Sequence, residues 1–231
     1  MKIVKSISCA ETNLDIYDGP VGIMVSGGAD SAILLYYLMK YSTSTIHVYT
    51  EGSNHKFRRN TIIAPRVVEK CIQLTNNINV IHHINYKETS TGESLYVNPT
   101  SAVDNGLVQV VYEGVTMNPP KDIAENLAPE LEFDTVLQER RSPSRHHKSF
   151  HSDNKFYMPW SNTDKQGIAK MYKEENLIDS LFPVTRSCEW DPAVIDKCPS
   201  FTIKDPELGH CGACWWCKER EWAFNENGET K

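Results

Sequence analysis

The stretch MVSGGADSAILLYYLM, residues 24–39, places one serine and two glycines between an apolar run and a helix-forming segment. The first backbone N–H groups of a helix have no partner inside it, and the helix dipole adds positive potential at the same end. Glycines remove the side chains that would keep an anion away from that backbone. The stretch therefore predicts a phosphate-binding loop. Its candidate residues are Ser26, Gly27, Gly28, Asp30 and Ser31.

Asp30 is an unusual residue for such a loop, because a carboxylate repels bare phosphate. Its position predicts either a bound Mg²⁺ or a hydrogen bond that holds the loop closed. Two familiar phosphate loops are excluded, since the stretch lacks both a Gly-Lys-Ser/Thr ending and a third spaced glycine. The remaining alternative is an ordinary strand-to-helix turn with a polar cap. Such a turn needs one polar residue, whereas this one supplies several.

Apolar runs alternate with helical patterns on both sides of the loop. Strands are predicted over 21–26, 45–50, 78–86 and 107–115, and helices over 30–41 and 61–75. This βαβ rhythm predicts an α/β fold with a Rossmann-like parallel sheet and helices on both faces. A loop with a short helix is expected after Gly114, and a further helix over 163–177 with Thr163 as its cap.

Length and composition limit the class of protein. The 231 residues, 40% of them hydrophobic, suffice for one core with an extension, and we expect an α/β domain over 1–182 and a cysteine-rich tail over 183–231. The net charge of -6 argues against a surface built around nucleic acid, although a local basic site stays open. No segment approaches the roughly 18 apolar residues of a membrane span, so we expect a cytoplasmic protein without a membrane partner.

Five of the seven cysteines are concentrated in the tail, at Cys188, Cys198, Cys211, Cys214 and Cys217. Thiolates two residues apart in a turn can converge on one tetrahedral ion, and four of them close the coordination sphere of zinc. The tail therefore predicts a structural Zn²⁺ site. A redox pair, an iron–sulfur cluster and buried free thiols stay open as alternatives.

The hexapeptide SGGADS, residues 26–31, resembles the SGGxDS signature of the PP-loop, or N-type ATP pyrophosphatase, superfamily. The resemblance implies an adenine nucleotide alpha-hydrolase-like fold and an enzyme that cleaves ATP between its α and β phosphates. In that superfamily the loop holds the departing pyrophosphate while AMP is transferred to an oxygen of the substrate.

Within that superfamily the chain is similar to the 7-cyano-7-deazaguanine synthases. The similarity lies in TRSCEW (185–190), HCGACWWC (210–217) and the helix after PWSNTDK (159–165). It implies Lys165 beside the phosphates, with Asp30 and Lys165 as the candidate catalytic residues, and Gly52 and His55 of VYTEGSNHKFRRN in the nucleotide site. It further implies the zinc ligands, which are Cys188, Cys211, Cys214 and Cys217, with Cys198 left out.

The resemblance implies a carbon–nitrogen ligase reaction. ATP adenylates 7-carboxy-7-deazaguanine, ammonia displaces AMP to give an amide, and a second activation dehydrates the amide to the nitrile; a homodimer is implied by the same likeness. The middle of the chain, VNPTSAVDNG (97–106) and the segment 116–134, differs from that family. Two alternatives are kept: a PP-loop tRNA-modifying or thiolating enzyme, and a non-catalytic nucleotide-binding zinc-ribbon protein.

The segment ERRSPSRHHKSFHS, residues 139–152, combines basic residues with serine and proline. Its cations are Arg140, Arg141, Arg145 and Lys148, accompanied by three histidines. Such a segment can close over a polyphosphate, contact RNA phosphates, or form a solvated run of charge.

Overall fold

The computed structural model describes residues 1–10, 12–53, 59–87, 97–127, 141, 150–188, 210, 212 and 214–225. Within them the predicted α/β fold is confirmed. The chain begins with an antiparallel pair of strands, β1 (Ile3–Cys9) and β2 (Thr12–Tyr17), that the sequence patterns did not single out.

The main sheet has six strands in the described part of the chain, in the order β5-β4-β3-β6-β8-β7. They are β3 (Val21–Met24), β4 (Ile46–Ser53), β5 (Val80–Lys87), β6 (Val111–Glu113), β7 (Phe150–His151) and β8 (Phe156–Tyr157). All neighbouring strands run parallel except β7, which is antiparallel to β8 at the edge. The strand predicted over 107–115 is wrong in its length, because only 111–113 pair in the sheet.

Six α-helices are described. They are α1 (Ala29–Tyr41), α2 (Asn60–Thr75), α3 (Val97–Asp104), α4 (Lys121–Asn126), α5 (Lys165–Glu174) and α6 (Trp215–Asn225). The short helix expected after Gly114 is α4. The expected cap of the helix over 163–177 is wrong, because the Asp164 carboxylate, rather than Thr163, accepts from the amides of Gln166 and Gly167. None of these helices is long and apolar enough to cross a membrane.

The core lies mainly on one face of the sheet. Helix α1 is buried along nearly its whole length, as an all-round apolar helix must be, and it packs against α2 and α5. The tail helix α6 also joins this core through Ala223 and Phe224, and it packs on α5. The opposite face carries a smaller cluster of Tyr49, Val111 and Phe156 with Ala102 of α3.

The strand order reverses beside β3. The chain passes from β3 to β4 and β5 on one side and returns to place β6 on the other. In open parallel sheets, ligands bind at such a switch point, outside the carboxyl ends of the strands. The fold therefore places the loop between β3 and α1 at the expected ligand position.

Gly114, directly after β6, lets the start of α1 approach the sheet. A Cβ at this position would lie 2.7 Å from the Ser31 amide nitrogen and 2.9 Å from the Ser31 Cα. Both atoms are backbone at the first turn of a buried helix, so neither can yield without moving the loop. The approach of β6 to α1 thus needs a residue without a side chain.

We predict that Gly114→Ala lowers both the melting temperature and the affinity for ATP, because the methyl group displaces the start of α1. Gly106→Ala is the contrasting control: Gly106 has a left-handed backbone, at φ +70°, and an added Cβ there meets nothing within 4 Å. It should lose stability through backbone strain alone and keep its ATP affinity. Thermal melting and ATP titration of both variants check this. An unchanged ATP affinity in Gly114→Ala would contradict it.

Candidate active site

A cavity of about 300 Å³ opens at the switch point. Its wall is formed by the phosphate loop, the ends of β4 and β6, the start of α5, the segment 186–188 and the first turns of α6. This volume is at the lower end of the range for small-molecule sites. Ser26, Gly28, Asp30 and Ser31 of the predicted loop all face the cavity.

The two glycines of the loop, Gly27 and Gly28, are required for different reasons. Gly27 has φ +88°, and a Cβ there would lie 2.6 Å from the Ile63 Cγ2 of α2, so the fold itself requires this glycine. At Gly28 an added Cβ would meet only the Ser26 Oγ at 3.4 Å and the Arg186 carbonyl at 3.7 Å. The space beside Gly28 is therefore open, as an approaching phosphate oxygen needs.

No side chain caps α1. Gly28 is its N-cap residue, and no side chain makes a capping hydrogen bond there. The Ser26 Oγ accepts from the Gly28 amide. The Ser31 hydroxyl donates to the Gly28 carbonyl at 3.2 Å. The reading of an ordinary capped turn does not fit this geometry. The positive end of the helix faces the cavity, where an anion is stabilised.

Asp30 is bound to Lys165, the first residue of α5. The lysine Nζ lies 2.7 Å from the Asp30 Oδ2 and 3.8 Å from the Glu219 Oε2, and the Glu219 side chain is fully buried. Arg141 forms an ion pair with the other Glu219 oxygen and donates to the Thr116 and Met117 carbonyls. Two cations and two carboxylates from remote parts of the chain thus meet beside the loop.

Two carboxylate oxygens in this network, the Asp30 Oδ1 and the Glu219 Oε2, are buried without a hydrogen-bond partner. The expected hydrogen bond of Asp30 is present, and one oxygen is left over. Free carboxylate oxygens next to a phosphate site suit Mg²⁺, which is usually held by one or two carboxylates together with phosphates and water. These two residues fit the predicted Mg²⁺.

Glu51 lies at the end of β4 on the cavity wall and is buried. Its carboxylate accepts from the side-chain amides of Asn85, at 2.7 Å, and Asn98, at 2.8 Å. Gly52, the predicted nucleotide residue, follows it in β4 and pairs with β5. His55 lies outside the described residues.

Glu113 is a cavity residue that the sequence patterns missed. It is buried at the end of β6, and its Oε2 lies 2.6 Å from the His151 Nε2. His151 comes from the basic segment 139–152, as does Arg141. An acidic residue at the carboxyl end of a buried strand, directly before a glycine, was the available signal.

The cysteine cluster borders the same cavity. The sulfurs of Cys188, Cys214 and Cys217 lie within 4.8 Å of one another, and all three residues are buried. The Cys188 Sγ and Cys214 Sγ are 3.9 Å apart. Cys188 also lines the cavity wall, so the cluster is next to the loop rather than remote from it. Cys211 and Cys198 lie outside the described residues.

One comparison with known proteins bears on the superfamily. Residues 12–81, under a third of the chain, match the family model described as asparagine synthase, which is a PP-loop domain. The match spans the loop, α1, β4 and α2 and confirms the PP-loop resemblance there; it supports ATP as the nucleotide. No curated protein matches the chain.

Among solved structures, the U34-tRNA thiolase NcsA from Methanococcus maripaludis, with its 4Fe–4S cluster, is similar at 11% sequence identity and a TM-score of 0.42. The alignment covers 87% of this chain and 80% of the thiolase. A score this low carries no information on the site.

We predict that Gly28→Ala weakens ATP binding about tenfold or more while the melting temperature stays close to that of the wild type. The methyl group fills the open space beside the loop and makes only ordinary van der Waals contacts with the protein, at 3.4 Å and 3.7 Å. Gly27→Ala is the contrasting variant, because its Cβ meets Ile63 and its backbone is left-handed, so it should lose stability. Melting curves and ATP titration separate the two effects, and wild-type ATP affinity in Gly28→Ala would contradict the assignment.

Proposed function

We propose that this protein is an ATP-dependent ligase that adenylates the carboxylate of a small acid and converts the acid with ammonia to the amide. A second ATP then adenylates the amide oxygen, which leaves with AMP as the amide is dehydrated to the nitrile. The observation that carries the proposal is the uncapped loop of residues 26–31 facing Lys165 at the switch point of the sheet. The matching asparagine synthase model and the SGGADS signature support it.

The described residues suit the first step. The carboxylate of the acid attacks the α phosphorus of ATP, and the bond from that phosphorus to the bridging oxygen of pyrophosphate breaks. Negative charge develops on the pyrophosphate, where the loop amides and Lys165 stabilise it. Asp30 fixes the lysine by their 2.7 Å contact. Mg²⁺, held by Asp30 and Glu219, would neutralise further phosphate charge.

The second step needs an acceptor for protons. Ammonia attacks the acyl carbon of the mixed anhydride, AMP leaves with the bonding electrons, and one proton must be removed from the new amide nitrogen. Glu113 lies on the cavity wall, bound to His151, and this pair can accept a proton from the cavity. We assign it as the general base of the proposed reaction.

We propose 7-carboxy-7-deazaguanine as the acid. This choice rests on the resemblance of TRSCEW, HCGACWWC and the Lys165 helix to the deazaguanine synthases. It is supported by the meeting of those segments: Cys188, Cys214, Cys217 and Lys165 all belong to the walls of the cavity or to the cluster beside it. Gly52 and His55 as nucleotide residues, the homodimer, the cytoplasmic location and the division at residue 182 stay predictions.

A second candidate is a PP-loop enzyme that thiolates tRNA. The observation that favours it is the position of Cys188 on the cavity wall, because a thiolate centre beside the nucleotide could deliver sulfur to an adenylated base. A non-catalytic nucleotide-binding protein is the third alternative. The buried charges of Lys165 and Glu219 and the partly buried charge of Asp30 count against it, since charges in a low-dielectric site are costly to keep without a function.

We assign Zn²⁺ to the cysteine cluster, with Cys211 as the fourth ligand. Zinc–sulfur bonds of about 2.3 Å in a tetrahedron separate the sulfurs by roughly 3.8 Å. The 3.9 Å between Cys188 and Cys214 supports this arrangement. Iron–sulfur clusters attach their cysteines to different irons, which requires a wider spacing than one shared ion does.

We predict that the protein forms AMP and the nitrile from Mg-ATP, ammonium and 7-carboxy-7-deazaguanine, as followed by mass spectrometry. Lys165→Met should lower kcat about 10²- to 10³-fold, because one fixed charge at the developing pyrophosphate is lost. Lys155→Met removes a lysine that pairs with Asp104 outside the cavity and should leave kcat unchanged.

ATP binding without AMP or nitrile would refute the deazaguanine assignment. If AMP instead appeared with tRNA and a sulfur donor, the thiolation alternative would replace it. No turnover of ATP to AMP with either acceptor would leave the non-catalytic alternative.

We predict one zinc ion per chain in the purified protein by elemental analysis. Cys214→Ser should lose the metal, because it removes a thiolate of the cluster. Cys71→Ser is the control: Cys71 is fully buried in α2, and burial raises the pKa of its thiol so that it stays protonated. Iron together with acid-labile sulfide after anaerobic purification would overturn the zinc assignment.

A further inference from the structure

Arg186 is a buried cation beside the phosphate loop. Its backbone amide donates to the Gly27 carbonyl at 2.8 Å, and its side chain lines the cavity although only 6% of the residue is exposed. The guanidinium nitrogens Nε, Nη1 and Nη2 are all buried, and none of them has a hydrogen-bond partner. Among the described arginines, no other has all three of these atoms in that condition.

An unpaired guanidinium is an unfavourable group to bury. It carries five N–H donors and cannot lose its charge at any ordinary pH, so it cannot escape the cost of desolvation by becoming neutral. Removing such a charge from water without a partner is strongly destabilising. A side chain of this kind is retained where an anion completes its hydrogen bonds.

Two other arginines in this part of the molecule have guanidinium groups that are hydrogen-bonded within the protein. Arg220 donates to the Thr185 and Ser187 hydroxyls and to the Phe182 carbonyl, and it stacks 3.7 Å above the Phe182 ring. Arg141 is bound by Glu219 and by two backbone carbonyls. The absence of hydrogen-bond partners at Arg186 is therefore particular to that position, because the other two arginines have such partners.

Each described acid of the cavity has a partner other than Arg186, at one carboxylate oxygen or at both. Asp30 binds Lys165, and Glu219 binds Arg141. Glu113 is bound to His151. The Glu51 carboxylate accepts from two asparagine amides. None of these four carboxylates bonds to Arg186, so its complement is an anion from outside this set.

We propose that Arg186 is an anion-binding residue of the cavity that holds oxygens of the nucleotide's pyrophosphate group. The bond from Arg186 to Gly27 fixes it to the phosphate loop, which favours a phosphate over the carboxylate of the acid. A guanidinium binds two phosphate oxygens side by side. Lys165 is already partly neutralised by Asp30, whereas the guanidinium nitrogens of Arg186 have no hydrogen-bond partner. The proposal rests on the proposed function in one respect: the cavity binds a nucleotide.

The first test measures binding without turnover. Pyrophosphate, ATP and AMP are titrated into wild type, Arg186→Met, Arg186→Lys and Arg66→Met. Arg186→Met should lower the affinity for pyrophosphate and for ATP at least tenfold, and the affinity for AMP no more than threefold. The affinities of Arg186→Lys should lie between those of the wild type and Arg186→Met. Arg66 is exposed on α2, so Arg66→Met controls for the loss of one positive charge.

The second test distinguishes a ligand-binding role from a structural one. Without ligand, Arg186→Met should melt at the same temperature as the wild type or higher, because it removes an unpaired buried charge. The wild type should gain more thermal stability from pyrophosphate than the variant does. If Arg186 had a structural role, Arg186→Met would melt at a lower temperature than the wild type without ligand.

Equal pyrophosphate affinity in wild type and Arg186→Met would overturn the proposal. A variant that keeps its ATP affinity but has a raised KM for the acid would reassign Arg186 to the substrate carboxylate. Pyrophosphate binding through Arg186 without formation of AMP would refute the proposed function alone. A wild type that binds neither ATP nor pyrophosphate would overturn both.

Discussion

The ion pair between Asp30 and Lys165 is the contact on which the cavity depends. It joins the first turn of α1 to the first turn of α5, 135 positions later in the chain, and Glu219 adds α6 to the same network. A lone carboxylate at the positive end of a helix would occupy the space of an anionic ligand. Bound to a lysine, it becomes part of a surface that can accept phosphate.

The requirements of the sheet explain the positions of the glycines. A parallel sheet whose strand order reverses at β3 leaves a crevice, and α1 must enter that crevice close to β6 for its amides to face the cavity. Gly114 permits the approach, and Gly27 supplies the left-handed turn against α2. Gly28 is needed neither for the approach of β6 to α1 nor for a left-handed turn. The open space beside Gly28 is therefore the part of the motif that is available to a ligand.

The sequence predicted the features that depend on neighbouring residues. The loop and the helices α1 and α2 follow from motif and periodicity, because each is specified within about 16 positions. Pairings across the chain could not be predicted in this way. Nothing in the sequence of α6 distinguishes Glu219 from a solvated helix acid, yet its side chain is fully buried because Arg141 and Lys165 reach it.

The pair β1–β2 and helix α3 were not predicted from the sequence, also for physical reasons. In β1 the adjacent and exposed Ile3 and Val4 obscure the period of two that Leu14 and Ile16 show in β2. Helix α3 contains Pro99 and begins in a sequence with low helix propensity, so packing against the second face of the sheet decides its structure. In each case tertiary contacts outweigh the local pattern.

The segment Arg186–Cys188 connects the two centres of the molecule. Arg186 lies on the cavity wall, the Ser187 hydroxyl accepts from Arg220, and Cys188 belongs to the cysteine cluster. The segment is tied to the loop by the bond to Gly27 and to α6 by Arg220. A metal that held Cys188 and α6 together would therefore also fix the position of Arg186 relative to the loop. Under the proposed zinc assignment, the cluster would align the phosphate site, and the tail would be part of the site's construction.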